Sequence, residues 1–347
     1  MLTKIVHLSD LHLGVNGKGK LAVPISLEGM VFEQICGEKP DAIIISGDLS
    51  RFGAEEDFEV VSAFLKELEK RFPVLCIPGN TDYTYYIYRE TSQEERKEEQ
   101  DEEKKKQLEL EKIELFDKQL LFLGDTGNRF RRLDTAFKLN GKYYLLVEDV
   151  LEKKERHYSR LENYKKYAGE EEPGLSINGI NFIGFNSSKD IGIKIVARAI
   201  IKDSDRKFFL EEQRDGTLLQ EHLEERLKNL PSGRNIAVMH HPIFFIPCAN
   251  EVYGEFANGE ETARHLLEKD IQLALCGHKH LPGFVDQLIG EKKFYVCAAN
   301  TLFSKDIKKP YNENSYNIIL IDGDAVAVGY REIGSHKVEK IAAFILD

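Results

Sequence analysis

Short apolar runs that end in aspartate, asparagine or histidine recur along this 347-residue chain, and they constrain its fold more than any other feature. In the first eighty residues, apolar runs at 3–8, 42–46 and 74–77 alternate with helical spacing near 24–36 and 55–71. This alternation predicts strands joined by right-handed helical crossovers. Because open α/β sheets build their sites at the carboxyl ends of strands, the polar motifs that follow the strands are candidate ligands. The chain contains five such motifs, which are Asp10-Leu11-His12, Gly47-Asp48, Gly79-Asn80-Thr81-Asp82, His240-His241-Pro242 and Gly277-His278-Lys279-His280.

The second half of the chain repeats this pattern and then changes. Two of its apolar runs again end in candidate ligands, His240 and His278. From Gly283 onward the pattern predicts successive strands joined by turns, with a hairpin turn at Asp322-Gly323-Asp324. A series of β-strands after an α/β half indicates two sheets packed face to face. The predicted strands are 181–185, 235–239, 272–276, 284–288, 292–298, 316–321, 325–331 and 337–346, and the predicted helices lie near 216–229 and 259–269.

Residues 83–178 contain none of the five motifs, and we predict that they form an inserted cap between the two parts of the core, 1–82 and 179–347. Within them, residues 90–118 are dense in Glu, Lys and Asp, with opposite charges four residues apart. Such spacing favours a solvated helix, so the cap is predicted to be mostly helical. Two roles for this region stay open: a spacer on the surface, or a lid over the site.

Charge and composition argue against some classes of function without excluding them. The net charge of −11 argues against a nucleic-acid-binding protein, because a sequence-independent binder is more usually basic. Five scattered cysteines without a paired spacing indicate reduced thiols. The first candidate ligand lies at Asp10, which leaves no room for a cleavable signal peptide, and no apolar run approaches the roughly 20 residues of a membrane span. We therefore expect a soluble, cytoplasmic protein.

The side chains of the five motifs are carboxylates, a carboxamide and imidazoles, which are the donors that hold divalent transition metals in proteins. None is a thiolate, so the set suits Mn²⁺, Fe, Zn²⁺ or Ni²⁺ without selecting one of them. A pair of such ions activates water and clamps a phosphoryl group during in-line displacement. The motifs therefore predict a metal-dependent phosphoric ester hydrolase.

In order and composition, the five motifs resemble the signature of the calcineurin-like metallophosphoesterase superfamily, which reads D-x-H, G-D, G-N-H-D/E, H and G-H-x-H. The resemblance implies an α/β fold of four αββα layers, in which two mixed sheets are flanked by helices. It also implies a dinuclear centre whose bridging hydroxide attacks the phosphorus atom. By this resemblance one ion would be held by Asp10, His12 and His280, the other by Asn80, His240 and His278, and both by Asp48.

One position departs from the family pattern. Thr81 stands where the family has a histidine that is thought to protonate the leaving oxygen, and threonine cannot act as a general acid near neutral pH. Asp82 would ordinarily orient that histidine. In the absence of that histidine, the leaving group could be protonated by His241, by a cap residue such as His157, or by metal-bound water. The predicted catalytic residues are Asp48, Asp82 and His241.

The segment Val238–Pro242 most resembles the class III cyclic-nucleotide phosphodiesterases within this superfamily. The resemblance implies a phosphodiesterase for a small, nucleotide-like phosphodiester, for which a cyclic nucleotide is a candidate. Three alternatives stay open: a nuclease-type member, a phosphomonoesterase, and a metal-binding sensor weakened by Thr81. Lys279, between two predicted ligands, is expected to point to solvent. The native metals and the oligomeric state are not specified by the sequence.

Overall fold

A computed structural model describes the core of this protein in most of its length. Only the backbone is described for six of the strands, which lie at 84–89, 136–139, 142–145, 155–160, 198–202 and 207–211. The chain divides into two compact units: the first comprises Met1–Tyr83, Leu161–Asp190 and Arg214–Asp347, and the second comprises Thr84–Arg160 and Ile191–Gln213. The described residues are 1–15, 25–51, 53–82, 84–89, 136–139, 142–145, 155–188, 198–202, 207–211, 220–246, 259–304 and 313–346.

The helices and strands are numbered in chain order. The helices are α1 (Ile25–Glu38), α2 (Glu55–Glu69), α3 (Glu162–Tyr167), α4 (Gln220–Leu227) and α5 (Gly259–Leu267). The strands are β1 (Thr3–Leu8), β2 (Ala42–Ile45), β3 (Val74–Cys76), β4 (Thr84–Arg89), β5 (Ala136–Leu139), β6 (Lys142–Leu145), β7 (Glu155–Arg160), β8 (Gly174–Ile177), β9 (Ile180–Phe185), β10 (Arg198–Lys202), β11 (Lys207–Glu211), β12 (Arg234–Met239), β13 (Leu273–Cys276), β14 (Gly283–Ile289), β15 (Lys292–Ala298), β16 (Ser315–Asp322), β17 (Ala325–Glu332) and β18 (Glu339–Ile345).

Two six-stranded mixed sheets form the first unit. One has the order β18-β17-β16-β1-β2-β3, in which β1, β2 and β3 are parallel and the remaining pairs are antiparallel. The other has the order β14-β15-β13-β12-β9-β8, in which the four central strands are parallel. Each sheet thus combines a parallel part, built by helical crossovers, with an antiparallel part, built by hairpins.

Apolar side chains from both sheets meet in one core. Ile5, Ile44 and Ile319 of the first sheet pack in a single cluster with Val238 and Leu275 of the second. The outer face of the second sheet forms another cluster with α4 and α5. On the first sheet, α2 buries one apolar stripe, which consists of Phe58, Val61, Phe64, Leu65 and Leu68. Helices therefore cover both outer faces, and the predicted four-layer α/β fold is confirmed.

The strand predictions of the core are confirmed to within two residues at each end. The run 42–45 is buried along its whole length, because a parallel strand in a covered sheet is packed on both faces. The hairpin predicted at Gly323 joins β16 to β17, and its glycine has a φ of +60°. In the described parts of the chain, no helix is long and apolar enough to cross a membrane.

The second unit, considered by itself, contains three antiparallel strand pairs in its described residues: β4 with β7, β5 with β6, and β10 with β11. The helix predicted over 90–118 lies outside the described residues. In the described part of the predicted cap, residues 84–89, 136–139, 142–145, 155–160 and 174–177 are strands and α3 is a helix. Its mostly helical character stays a prediction, because most of its residues lie outside the described ones. The boundaries that the sequence predicts for the core (1–82 and 179–347) and for the cap (83–178) stay a prediction.

Residues 161–178, which lie in sequence between the two parts of the second unit, belong to the first unit. Tyr164 of α3 is fully buried, and its hydroxyl donates to the carbonyl of Cys76 at 2.9 Å. Its ring meets the Phe58 ring edge to face, with 6.1 Å between centroids. Strand β8 then pairs with β9 through a tight turn at Asn178 and Gly179, both with positive φ, as such turns require. Residues 161–178 thus form part of the first unit.

We predict that Tyr164→Phe lowers the free energy of unfolding by about 1–2 kcal/mol, because the buried Cys76 carbonyl loses its donor. Urea unfolding followed by circular dichroism measures this effect. Tyr167→Phe is the matched control, since that hydroxyl bonds Glu55 at the surface, and its effect should stay within about 0.5 kcal/mol. Equal effects of the two changes would contradict the packing of α3 on the core.

Candidate metal centre

The five motifs lie at the carboxyl ends of parallel strands in the two sheets. The parallel pairing of β1 with β2 continues beyond the strands, because Asp10 N donates to Gly47 O at 2.9 Å and His12 N donates to Asp48 O at 3.0 Å. In the second sheet, Gly277 N donates to His240 O at 2.9 Å in the same way. These backbone hydrogen bonds align neighbouring loops just beyond the ends of their strands, so the polar side chains converge.

Most of the predicted ligands have a left-handed backbone. Eight non-glycine residues among the described ones have positive φ, and five of them are predicted ligands. L-residues adopt this conformation at a cost of roughly 1–2 kcal/mol each, and such strain is concentrated at functional sites. The concentration therefore marks these loops as a site. The five are Asp10 (51°), His12 (45°), Asp48 (53°), His278 (68°) and His280 (52°).

Two motif glycines permit the loops to approach closely. A Cβ atom on Gly79 would overlap the Oδ1 atom and the backbone of Asp48. A Cβ atom on Gly277 would overlap the Ser9 hydroxyl and lie 2.5 Å from Asp10 Oδ2. Any side chain at these two positions would push ligand loops apart, which gives the glycines of the G-N and G-H motifs a steric reason.

The first group of converging donor atoms consists of Asp10, His12 and His280, with Asp48 beside them. The Nε2 atoms of His12 and His280 lie 3.1 Å apart. The Oδ1 atom of Asp10 lies 3.2 Å from His280 Nε2 and 3.9 Å from His12 Nε2. All four side chains turn a nitrogen or an oxygen toward one small volume.

The second group consists of Asn80, His240 and His278. His278 Nδ1 lies 3.0 Å from Asn80 Oδ1 and 3.3 Å from His240 Nε2. Asp48 faces both groups, since its Oδ1 atom is 3.4 Å from His240 Nε2 and its Oδ2 atom is 3.8 Å from His12 Nε2. The carboxylate of Asp48 thus stands between the two groups with one oxygen toward each.

These distances fit two cations. Atoms that bind one ion at bond lengths of about 2.0–2.2 Å lie roughly 3 Å from each other, which is the spacing within each group. Asp10 Oδ1 is fully buried, and the imidazole nitrogens of His280 and His12 are the polar atoms placed near it, which is little compensation for burying a carboxylate oxygen. A cation among these atoms would satisfy it. The donors are oxygen and nitrogen, which suits the metals that the sequence predicts.

The electrostatics of the cluster are strongly coupled. Burial raises the pKa of Asp48, but His240 and His12 outweigh it and hold the pKa well below its usual range. For His240, burial lowers the pKa, but the Asp48 carboxylate outweighs it and raises the pKa to about 9. An imidazole must be neutral to bind a metal through Nε2, so a metal ion competes there with a proton.

Asp82 lies behind the donor groups. Its Oδ2 atom accepts hydrogen bonds from Leu49 N (3.1 Å) and Gly79 N (2.8 Å), and its Oδ1 atom accepts one from Ser50 N (2.7 Å). Burial and the nearby Asp48 carboxylate raise its pKa to about 7, against the effect of the three N–H donors. Asp82 therefore ties the loop of Asp48 to the loop of Asn80, and these contacts favour a positioning role. Its predicted catalytic role stays a prediction.

The side chain of Thr81 is also committed to the loops. Its hydroxyl donates to Ser50 O at 2.8 Å, and the Ser50 hydroxyl donates back to Thr81 O at 3.2 Å. Its backbone N–H donates to Asp48 Oδ1 at 2.9 Å. Thr81 thus helps to hold the carboxylate of Asp48, which is a task that any residue type could perform through its backbone.

His241 is fully buried beside the second group. Its Nδ1 atom lies 2.8 Å from the hydroxyl of Ser187, and its ring centroid lies 4.5 Å from that of His278. His240, His241 and His278 each offer a nitrogen atom within 4.8 Å of the others. His240 directs Nε2 toward Asp48, as the sequence pattern predicts for the ligand of the pair, whereas His241 is held by Ser187.

Lys279 is buried, with only 1% of its surface exposed, so the expectation that it points to solvent was wrong. Its ammonium group lies 6.0 Å from the centre of the Phe245 ring. Three further residues at the site were missed from the sequence: Ser46, whose carbonyl oxygen contacts His240, Ser187, which contacts His241, and His7 behind them. Serines in turns carry no pattern that distinguishes them, but a histidine inside an apolar strand was a visible signal.

One protein family and several solved structures are similar to this chain. Residues 3–155 match the model of the calcineurin-like phosphoesterase family, which confirms the resemblance predicted from the motifs. Similar solved structures include Vacuolar Protein Sorting 29 from Cryptosporidium parvum, with 10% identity, a TM-score of 0.38, and coverage of 99% of this chain and 98% of that one. Another is a predicted phosphoesterase from Streptococcus pneumoniae, with 10% identity, a TM-score of 0.35 and 98% coverage of both chains. Yfce, a phosphoesterase from E. coli, has 12% identity, a TM-score of 0.32, and coverage of 99% of this chain and 100% of that one.

We predict that metal binding releases a proton near neutral pH, because His240 has a pKa of about 9 in the metal-free protein. Below that pH the ion displaces the proton, so the apparent metal affinity should rise with pH and level off above about 9. Calorimetric titration with Mn²⁺ at pH 7, in buffers of different ionisation enthalpy, measures the number of protons released. A heat of binding that does not depend on the buffer would contradict the prediction.

Proposed function

Since residues 3–155 match the calcineurin-like phosphoesterases, we propose that this chain is a dinuclear metal-dependent phosphodiesterase for a small, nucleotide-like phosphodiester. The observation that carries the proposal is the position of Asp48, with one carboxylate oxygen toward each of two groups of donor atoms. The family match ends before His240, His278 and His280, yet the fold brings these three residues to the ligands within it. These distances support a single site to which both halves of the chain contribute.

In this proposal the first ion is held by Asp10, His12 and His280, and the second by Asn80, His240 and His278, with Asp48 binding both. Two such ions would polarise the phosphoryl oxygens and acidify an attacking water. The ions proposed are Mn²⁺, Fe or Zn²⁺, with Ni²⁺ also compatible with the donors.

Hydrogen bonds from neighbouring residues orient the proposed ligands for metal binding. His240 Nδ1 lies 2.9 Å from Ser46 O, which sets Nδ1 as the protonated nitrogen and leaves the Nε2 lone pair for an ion. The backbone N–H of His278 donates to Asp10 Oδ2 at 2.9 Å, which leaves Oδ1 for the first group. Protonation of the leaving oxygen is proposed for His241, which the Ser187 hydroxyl holds beside the second group.

The net charge and the buried thiols support the proposed substrate class and the proposed location. The net charge of −11 favours a small substrate over a polymeric nucleic acid. The thiols of Cys76, Cys276 and Cys297 are buried, and burial raises the pKa of each, which makes them unreactive core residues. A cytoplasmic location is proposed because scattered cysteines without a paired spacing are typical of reduced thiols.

We predict that Asp48→Ala abolishes both metal pairing and turnover. The protein is stripped of metal, reloaded with Mn²⁺, and assayed on a chromogenic phosphodiester and on the matching monoester. The wild type should cleave the diester only with metal, and Asp48→Ala should lose at least about a hundredfold in kcat/KM, because one carboxylate serves both ions. Asp286→Ala, which removes a surface carboxylate paired with Lys293, is the control and should keep full activity.

Other outcomes of this assay favour the alternatives. Monoester turnover without diester turnover would make the chain a phosphomonoesterase. Two bound ions without turnover on either substrate would favour a metal-binding sensor. Full turnover by Asp48→Ala would overturn the proposed mechanism.

A further inference from the structure

We propose that His7, Ser46 and Asn317 form a buried polar chain that fixes the imidazole of His240 and thereby sets the metal affinity of the second group. The inference rests on the proposed function in one respect, which is that His240 is a metal ligand. It assigns a positioning role to three residues that lie outside the five motifs.

The chain begins at Ser46, the residue that follows β2. Its carbonyl oxygen lies 2.9 Å from His240 Nδ1 and also accepts a hydrogen bond from the Ser9 hydroxyl at 3.3 Å. The bond to Nδ1 turns the opposite nitrogen of the ring toward Asp48 and His278. A shift of the Ser46 carbonyl would therefore rotate or displace a ligand nitrogen.

His7 holds the side chain of Ser46. Its Nε2 atom lies 2.9 Å from the Ser46 hydroxyl oxygen, whereas the carbonyl of Leu8 lies 3.4 Å from that oxygen. Both His7 and Ser46 are fully buried. The contact therefore occurs away from water, where a hydrogen bond is electrostatically strong and a broken one is costly.

Asn317 completes the chain on the other side of His7. The two residues are direct partners in the antiparallel pairing of β1 with β16, so their side chains leave the same face of the sheet. Asn317 Nδ2 donates to Ala298 O at 2.8 Å, which connects it to β15 of the second sheet. The polar chain thus runs from β15 of the second sheet through Asn317, His7 and Ser46 of the first sheet to His240, at the end of β12 in the second sheet.

The hydrogen-bonding capacities of these residues select one tautomer of His7. Among the described residues, His7 Nδ1 and Asn317 Oδ1 are buried and have no hydrogen-bond partner. Burial lowers the pKa of His7 to about 3, so its ring is neutral, with one donor and one acceptor nitrogen. A proton on Nδ1 would offer the unpaired Oδ1 atom of Asn317, on the partner strand, a donor through one bridging water. Nε2 then accepts the proton of the Ser46 hydroxyl.

Simple core packing is the competing explanation, and the structure offers a control for it. Thr3 lies on the same strand, is fully buried, and has a hydroxyl without a partner among the described residues, but it does not contact Ser46 or His240 in the described network. A change at Thr3 therefore perturbs the buried interior of β1 without touching the polar chain. Effects that appear at His7 and not at Thr3 belong to the chain.

Two variants of His7 separate the roles of its nitrogens. The amide of Gln can place a polar atom where Nε2 lies, within reach of Ser46, whereas the shorter Asn can mimic only Nδ1. We expect His7→Asn to weaken binding of the second metal ion by about 10–100-fold, the usual effect of losing an outer-shell partner. We expect His7→Gln to stay within about threefold of the wild type, and Thr3→Val to match the wild type.

The experiment titrates metal-free protein with Co²⁺ and follows both the heat of binding and the visible absorption of the bound ion, neither of which requires turnover. Circular dichroism and urea unfolding of the metal-free variants establish that each one is folded. If His7→Asn does not fold, Ser46→Ala replaces it, because it removes the same hydroxyl contact with a small change in volume, and the same weakening is expected.

Equal weakening in His7→Asn, His7→Gln and Thr3→Val would assign the effect to packing and overturn the inference. Wild-type affinity and wild-type absorption in His7→Asn, or in Ser46→Ala where that variant replaces it, would overturn it as well. Failure of the proposed function looks different: the wild-type protein itself would bind fewer than two ions, or would bind two and cleave no phosphodiester.

Discussion

Parallel pairing of neighbouring strands is the constraint on which the rest of this structure depends. It places the ends of β1, β2 and β3 at one edge of the first sheet and the ends of β12 and β13 at one edge of the second. Face-to-face packing of the sheets then joins the two edges. The site needs nothing else from the fold than these five strand ends, because every predicted ligand lies within four residues of one of them. The rest depends on the loops, in which residues with positive φ and glycines allow the backbones to approach one another closely.

The core could be predicted well from the sequence because its signals are local. An apolar run such as 42–45 specifies a buried strand, and the stripe on α2 specifies a packed helix, without knowledge of the partner. The candidate ligands could be recognised for a related reason, since each follows such a run and belongs to a short motif. His240 and His241 show the limit of this reasoning: adjacent residues at a strand end point in different directions, and only the contacts with Ser46 and Ser187 distinguish them.

What could not be predicted depends on distant contacts. Lys279 is flanked by two ligands in a loop, and its burial follows from the packing of that loop and not from its own neighbours in sequence. The four-residue strand pattern of β8 is weak, although the Asn178-Gly179 turn was a hairpin signal that could have revealed it. In the predicted cap, β4 pairs with β7, which lies tens of residues away, and such distant pairing leaves little local signal. The charge spacing that favours helix lies at 90–118, outside the described residues.

The division of the ligands between the two sheets has a thermodynamic consequence. Asp10, His12, Asp48 and Asn80 follow strands of the first sheet, and His240, His278 and His280 follow strands of the second, so each proposed ion would be held from both halves of the sandwich. A pair of ions would act as a removable crosslink between the sheets, and the free energy of binding would add to the cohesion of the whole fold by mass action. The resistance of this protein to unfolding, aggregation and proteolysis would then vary with the supply of metal in its surroundings. Metal scarcity would thus limit the lifetime of the protein as well as its activity.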